Sequence, residues 1–122
     1  MATAGKRILV VEDDDDTREL LRVWLAGEGH EVAAADTGER GSMMLTEGNG
    51  FDLVTIDVRL PGIDGFEVMR RLRAGSGKDT PILLVTVTDP EDLPDDLAVA
   101  GHLSKPFTKS GLLDAVSRAL PS

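Results

Sequence analysis

Five short apolar runs recur along the chain, and they constrain its fold more than any other feature. They cover residues 8–11, 32–35, 53–58 and 82–87, with a fifth beginning at Leu103. Most are rich in β-branched residues, and none shows the apolar–polar alternation of a strand with one wet face. Runs of this kind suit strands buried on both sides, as in a parallel sheet covered by helices. Parallel strands need crossover segments, and the intervals between the runs are long enough to supply them.

Those intervals carry helical periodicity. Leu20, Leu21, Trp24 and Leu25 recur at spacings of three and four, on one helical face. Asp15 or Asp16 is placed to cap that helix, and Gly27 or Gly29 to end it. A second helix is predicted from Thr37 to Gly48, with Met44 and Leu45 inward. A third follows the cap pair Asp64 and Glu67 and buries Val68, Met69 and Leu72. The last starts at Thr108 and presents Leu112, Leu113, Val116 and Leu120. Between them, residues 89–96 read DPEDLPDD, five acids and two prolines in eight positions. Pro94 inside a helix would cost about 3 kcal/mol, so the fourth helix is expected to be short or irregular, at most residues 94–100. The β-α alternation predicts a three-layer α/β domain with five strands and five helices, spanning residues 1–122 as one unit.

Charge narrows the function. Thirteen Lys and Arg against 22 Asp and Glu give a net charge of −9. A chain this acidic is expected to repel phosphate backbones and anionic lipid, so direct nucleic-acid binding and membrane binding are not expected. There is no cysteine, which removes disulfides, thiolate zinc sites and thiol nucleophiles. No apolar run approaches the length of about 20 residues that spans a bilayer, and residues 1–7 show no apolar leader. A cytoplasmic location is expected.

In open α/β sheets, ligands bind beyond the carboxyl ends of the strands. Glu12 and Asp13 follow the first run, Asp57 closes the third, Thr86 and Val87 close the fourth, and Lys105 follows the fifth. Three acids, a hydroxyl and a lysine therefore meet on one rim. Clustered carboxylates are hard to keep ionised without a cation, and an all-oxygen set prefers Mg²⁺, Mn²⁺ or Ca²⁺. The lysine and the hydroxyl suit phosphoryl oxygens. A carboxylate beside such a cation can attack phosphorus. Asp14, Asp15 and Asp16 are read as a solvated run that caps a helix, and Asp64 as a cap. Gly62 and Gly65 are assigned to loop geometry, Trp24, Met43, Met44 and Met69 to packing, and His30 to a surface loop.

The runs ILVVEDD, DLVTIDVRLPGIDG, LLVT and LSKPF resemble the receiver domain of two-component response regulators, over about residues 6–120. That resemblance implies a flavodoxin-like sheet of order 2-1-3-4-5. It implies that Asp57 is the phospho-acceptor. Glu12, Asp13, Asp57 and the Arg59 backbone carbonyl would hold Mg²⁺, with Mn²⁺ as substitute. Thr86 and Lys105 would contact the phosphoryl group, and the Lys105–Pro106 bond would be cis. The implied donor is a phosphohistidine of a sensor histidine kinase or phosphotransfer protein. The implied role is signalling by conformational change, with self-phosphorylation and autodephosphorylation as the only chemistry, in a monomer or weak dimer.

Three positions depart from the family pattern. Val87 stands where a very small residue is usual and is expected to crowd the pocket. Pro94 breaks the fourth helix. His102 takes a place often held by an aromatic switch residue. These departures leave room for an alternative, a receiver-like interaction module that works largely without phosphorylation. A phosphatase-like enzyme with an Asp nucleophile is disfavoured, because Arg59 stands where such enzymes carry a second Asp.

Overall fold

The computed structural model describes residues 5–47, 50–75, 79–87 and 92–120. Its elements run β1 (Arg7–Val11), α1 (Asp15–Ala26), β2 (Glu31–Ala35), α2 (Gly38–Thr46), β3 (Leu53–Ile56), α3 (Gly65–Ala74), β4 (Ile82–Thr86), β5 (Gly101–Ser104) and α4 (Lys109–Ala119). The sheet is parallel throughout, in the order β2-β1-β3-β4-β5. The apolar runs are indeed its strands, and β1, β3 and β4 are buried almost completely.

Alternate residues of each strand feed two cores. Ile8, Val10, Leu53, Leu83 and Val85 pack with Leu21 and Leu25 of α1 and Leu112 and Val116 of α4. Leu9, Val11, Val54, Ile56, Ile82 and Leu84 pack with Leu45 of α2 and Val68, Met69 and Leu72 of α3. The three layers expected from the sequence follow. Met43 corrects the packing assignment: it is 58% exposed, whereas Met44 faces the core. The cap of α1 is Asp14, whose side chain accepts from the Thr17 N–H at 2.8 Å, and not Asp15 or Asp16.

The largest difference from expectation lies between β4 and β5. Among the described residues there are four helices, not five, and residues 92–100 form no regular helix. Pro94 lacks an N–H and drives the residue before it towards extended backbone. A single turn survives, in which the Leu97 N–H donates to the Pro94 carbonyl at 3.1 Å. The segment is nonetheless anchored. Leu97 is buried, and Leu93 and Val99 pack against the α2/α3 core. Arg73 of α3 donates to the carbonyls of Thr80 (2.7 Å) and Ala98 (3.2 Å), and Ala100 N–H donates to Ile82 O at 2.8 Å. Residues 88–91 of the acidic stretch lie outside the described residues.

Candidate functional site

Strand order reverses at β1, with β2 on one side and β3 on the other, the place where open α/β sheets bind ligands beyond the carboxyl ends. Three site residues each stand one position past a strand and are still held by the ladder. The Glu12 N–H donates to Ala35 O at 3.0 Å, Asp57 N–H to Val11 O at 3.1 Å, and Lys105 N–H to Thr86 O at 3.1 Å. Backbone precision thus passes directly to these side chains.

Lys105 joins the two buried acids. Its Nζ lies 2.5 Å from Glu12 Oε1 and 2.8 Å from Asp57 Oδ2. The remaining oxygens are also engaged: Asp14 N–H donates to Glu12 Oε2 at 3.2 Å, and Arg59 N–H to Asp57 Oδ1 at 3.1 Å. Glu12 is 1% exposed and Asp57 6%, whereas Asp13 is open to solvent. Burial pushes the Glu12 carboxyl up to about 6, against the opposing pull of Lys105. Burial also disfavours the charged Lys105 ammonium, but its hydrogen bonds to Asp57 and Glu12 outweigh that and raise its pKa.

Glu12, Asp13 and Asp57 each offer an oxygen within 4.8 Å of the others. Oxygens across one octahedral Mg²⁺ lie about 4.2 Å apart, twice the usual bond length. Neighbouring oxygens on such an ion lie about 3 Å apart, so the set surrounds a position that a hard cation could occupy once the side chains draw in. The donors are all oxygen, which fits a hard cation.

Thr86, buried at the end of β4, completes the rim beside Lys105. The Lys105–Pro106 peptide is cis, as expected. Gly65 opens α3 against Asp57: a β-carbon there would collide with the Asp57 carbonyl oxygen. Gly62 takes φ +74°, a left-handed turn in the loop between. Asp64 caps α3 by accepting from Glu67 N–H at 3.0 Å. Val87 is 58% exposed. It lies on the lip of a groove of about 360 Å³ shared with Thr17, Leu20, Lys105, Pro106 and Phe107. Phe107 meets the Trp24 ring edge-on, with centroids 6.1 Å apart. One residue was not anticipated from the sequence. Arg18, on the first turns of α1, donates to the carbonyls of Glu12 and Asp13. Its position five and six residues past the acids was the only available signal.

Comparison with known proteins identifies the family and the fold. The model of the response regulator receiver domain matches residues 8–117. The chain is 37% identical to the DNA-binding response regulator MtrA of Mycolicibacterium smegmatis, over 98% of this chain and 53% of that protein. Its fold is similar to that of the chemotaxis protein CheY4 of Vibrio cholerae, at TM-score 0.88 and 32% identity, covering 96% of this chain and all of that one. It is also similar to the response regulator TrrA of Thermotoga maritima in complex with Mg²⁺-BeF, at TM-score 0.84 and 38% identity, covering 94% and 99%. The chain spans about half the length of the curated relatives it matches. The expectation of no nucleic-acid contact is therefore unsupported for a whole protein of that kind. The acidic balance speaks for these 122 residues alone.

Proposed function

The chain belongs to the response regulator receiver domain family, and from that premise we propose that Asp57 accepts a phosphoryl group from a phosphohistidine. One observation carries the proposal: a single ammonium, Lys105 Nζ, bridges two buried carboxylates at the ends of β1 and β3. Glu12, Asp13, Asp57 and the Arg59 carbonyl would hold Mg²⁺, or Mn²⁺ in its place. When bound, the ion supplies charge neutralisation for an anionic attack.

The chain's own residues do the rest. An Asp57 carboxylate oxygen forms a bond to phosphorus, the phosphorus–nitrogen bond of the donor breaks with its electron pair going to nitrogen, and the donor ring, protonated on its other nitrogen, leaves as neutral imidazole. Lys105 stays beside the aspartate and can follow the new phosphoryl oxygens. Thr86, one ladder bond away, can donate its hydroxyl to them. Water later cleaves the acyl phosphate and returns Asp57 to a carboxylate. A kinase or phosphotransfer protein as donor, a cytoplasmic setting and a monomer or weak dimer accompany this function. The 122 residues are taken as one receiver unit.

Acetyl phosphate with Mg²⁺ should add one acid-stable, base-labile phosphoryl group, seen by intact mass. Asp57→Asn should abolish it, and equal labelling of that variant would sink the assignment. A second function has one observation in its favour, the loss of a regular helix at 92–100. If partner binding is equally tight with and without phosphorylation, the domain works as an interaction module.

A further inference from the structure

We propose that Arg18 is a positioning residue: its guanidinium ties the main-chain oxygens of Glu12 and Asp13 to α1 and holds the acidic pair facing Asp57 before a cation arrives. This role rests on assigning Glu12, Asp13 and Asp57 as a Mg²⁺ site.

The geometry is that of a fork. Arg18 Nη1 donates to Glu12 O at 3.1 Å and more weakly to Asp13 O at 3.4 Å. Its Nη2 lies 2.5 Å from Asp15 Oδ1. The Arg18 side chain is 22% exposed, and that of Asp15 is 87% exposed. The solvated acid thus holds the outer edge of the guanidinium, and the inner edge meets the backbone where β1 gives way to α1. A planar guanidinium presents donors in a fixed fork on two edges, and so meets the carboxylate and the carbonyls together.

The location is otherwise unfavourable. Arg18 sits at the beginning of α1, where the helix dipole favours acids and disfavours cations. It is also a positive charge beside a proposed cation site. Asp15 offsets both costs, and the Asp15 hydrogen bond keeps the guanidinium more firmly protonated. What the residue adds is conformational. Past Glu12 N–H, the chain leaves the ladder, and Arg18 carries the constraint one residue further, through the carbonyls. Asp13, the exposed member of the trio, then depends on it most.

Coulomb's law and positioning predict opposite signs. Removing a nearby positive charge should tighten Mg²⁺ binding if charge alone matters. Loss of the fork should weaken it. Metal-free protein is titrated with MgCl₂ by calorimetry at fixed ionic strength, comparing wild type, Arg18→Gln, Arg18→Lys and Asp13→Asn. Arg18→Gln is expected to weaken binding at least fivefold, and Arg18→Lys at least threefold despite its retained charge. Amide hydrogen exchange of the metal-free variants should speed up at Asp13 and Asp14, with the middle of α1 unchanged. Binding by Arg18→Gln as tight as wild type or tighter overturns the proposal, as does wild-type affinity in Arg18→Lys. Faster exchange spread evenly over α1 would show general loosening and also overturn it. Asp13→Asn separates the two questions. If it leaves Mg²⁺ binding intact, the metal-site assignment fails, and the exchange pattern alone decides whether Arg18 pins the loop.

Discussion

The rim formed by β1, β3 and β5 and the connection at residues 92–100 are held in opposite ways. At the rim, residues 93 and 48 positions apart meet through one lysine, and each stands on a ladder bond. In the connection, no ladder or helix repeats, and a few anchors hold irregular backbone: buried Leu97 and the Arg73 fork. Charge placed by strands needs little local sequence support. An irregular segment needs apolar burial at particular points, and its stability sits in those points.

The largest test of this contrast strikes the connection. Leu97→Ala should cost about 2–5 kcal/mol of unfolding free energy, the range for a buried leucine. A loss under about 0.5 kcal/mol in denaturant melts would mean the connection lies loosely on the surface. Next comes the rim. Mg²⁺ at a hundredfold above its dissociation constant should add about 2.7 kcal/mol to stability, several degrees in melting temperature. Asp13→Asn should remove most of that response, because it deletes a ligand and spares both Lys105 ion pairs. Matched NaCl reproducing the wild-type shift would mark a surface charge run instead.

The third test uses pH. Glu12 titrates near 6 in the folded protein against an ordinary value of 4.5. A carboxyl with a raised folded value binds its proton more tightly when folded. Its contribution to stability is therefore full below pH 4.5, falls as pH rises to about 6, and stays lost above. The loss is about 2 kcal/mol without metal. Lys105 has the same sign, but its window lies above 10.5. Glu12→Gln should lack the slope between pH 4.5 and 6, and parallel stability curves for wild type and variant would refute it. The smallest effect lies beneath the rim. Thr55, two residues before Asp57, has a buried hydroxyl with no hydrogen-bond partner among the described residues. Thr55→Val should stabilise the sheet by about 1 kcal/mol; destabilisation in thermal melts would show that the hydroxyl is satisfied.

Legibility from sequence followed the same division. The strands could be read because burial on both faces leaves an unbroken apolar run. Glu12, Asp13, Asp57, Thr86 and Lys105 could be read because strand ends fix where side chains converge. Three things could not. The buried Leu97 stands in a stretch whose acids and prolines dominate its composition. Residue type alone assigns Met43 to packing with its neighbour, whereas the helix phase that turns Met44 inward leaves Met43 exposed. Arg18 acts through backbone oxygens, which leave no mark on residue type.

The edge-on contact between Trp24 and Phe107 has a practical consequence. Trp24 is the only tryptophan in the chain, and Phe107 stands two residues past Lys105. The domain therefore has an intrinsic optical gauge wired to the segment that carries its site lysine. A movement of residues 105–107 that displaces the Phe107 ring is expected to change the surroundings of the indole, and with them the colour and yield of its emission. If occupancy of the site shifts that segment, titration with Mg²⁺ should change the emission of unlabelled protein, with no other indole in the background.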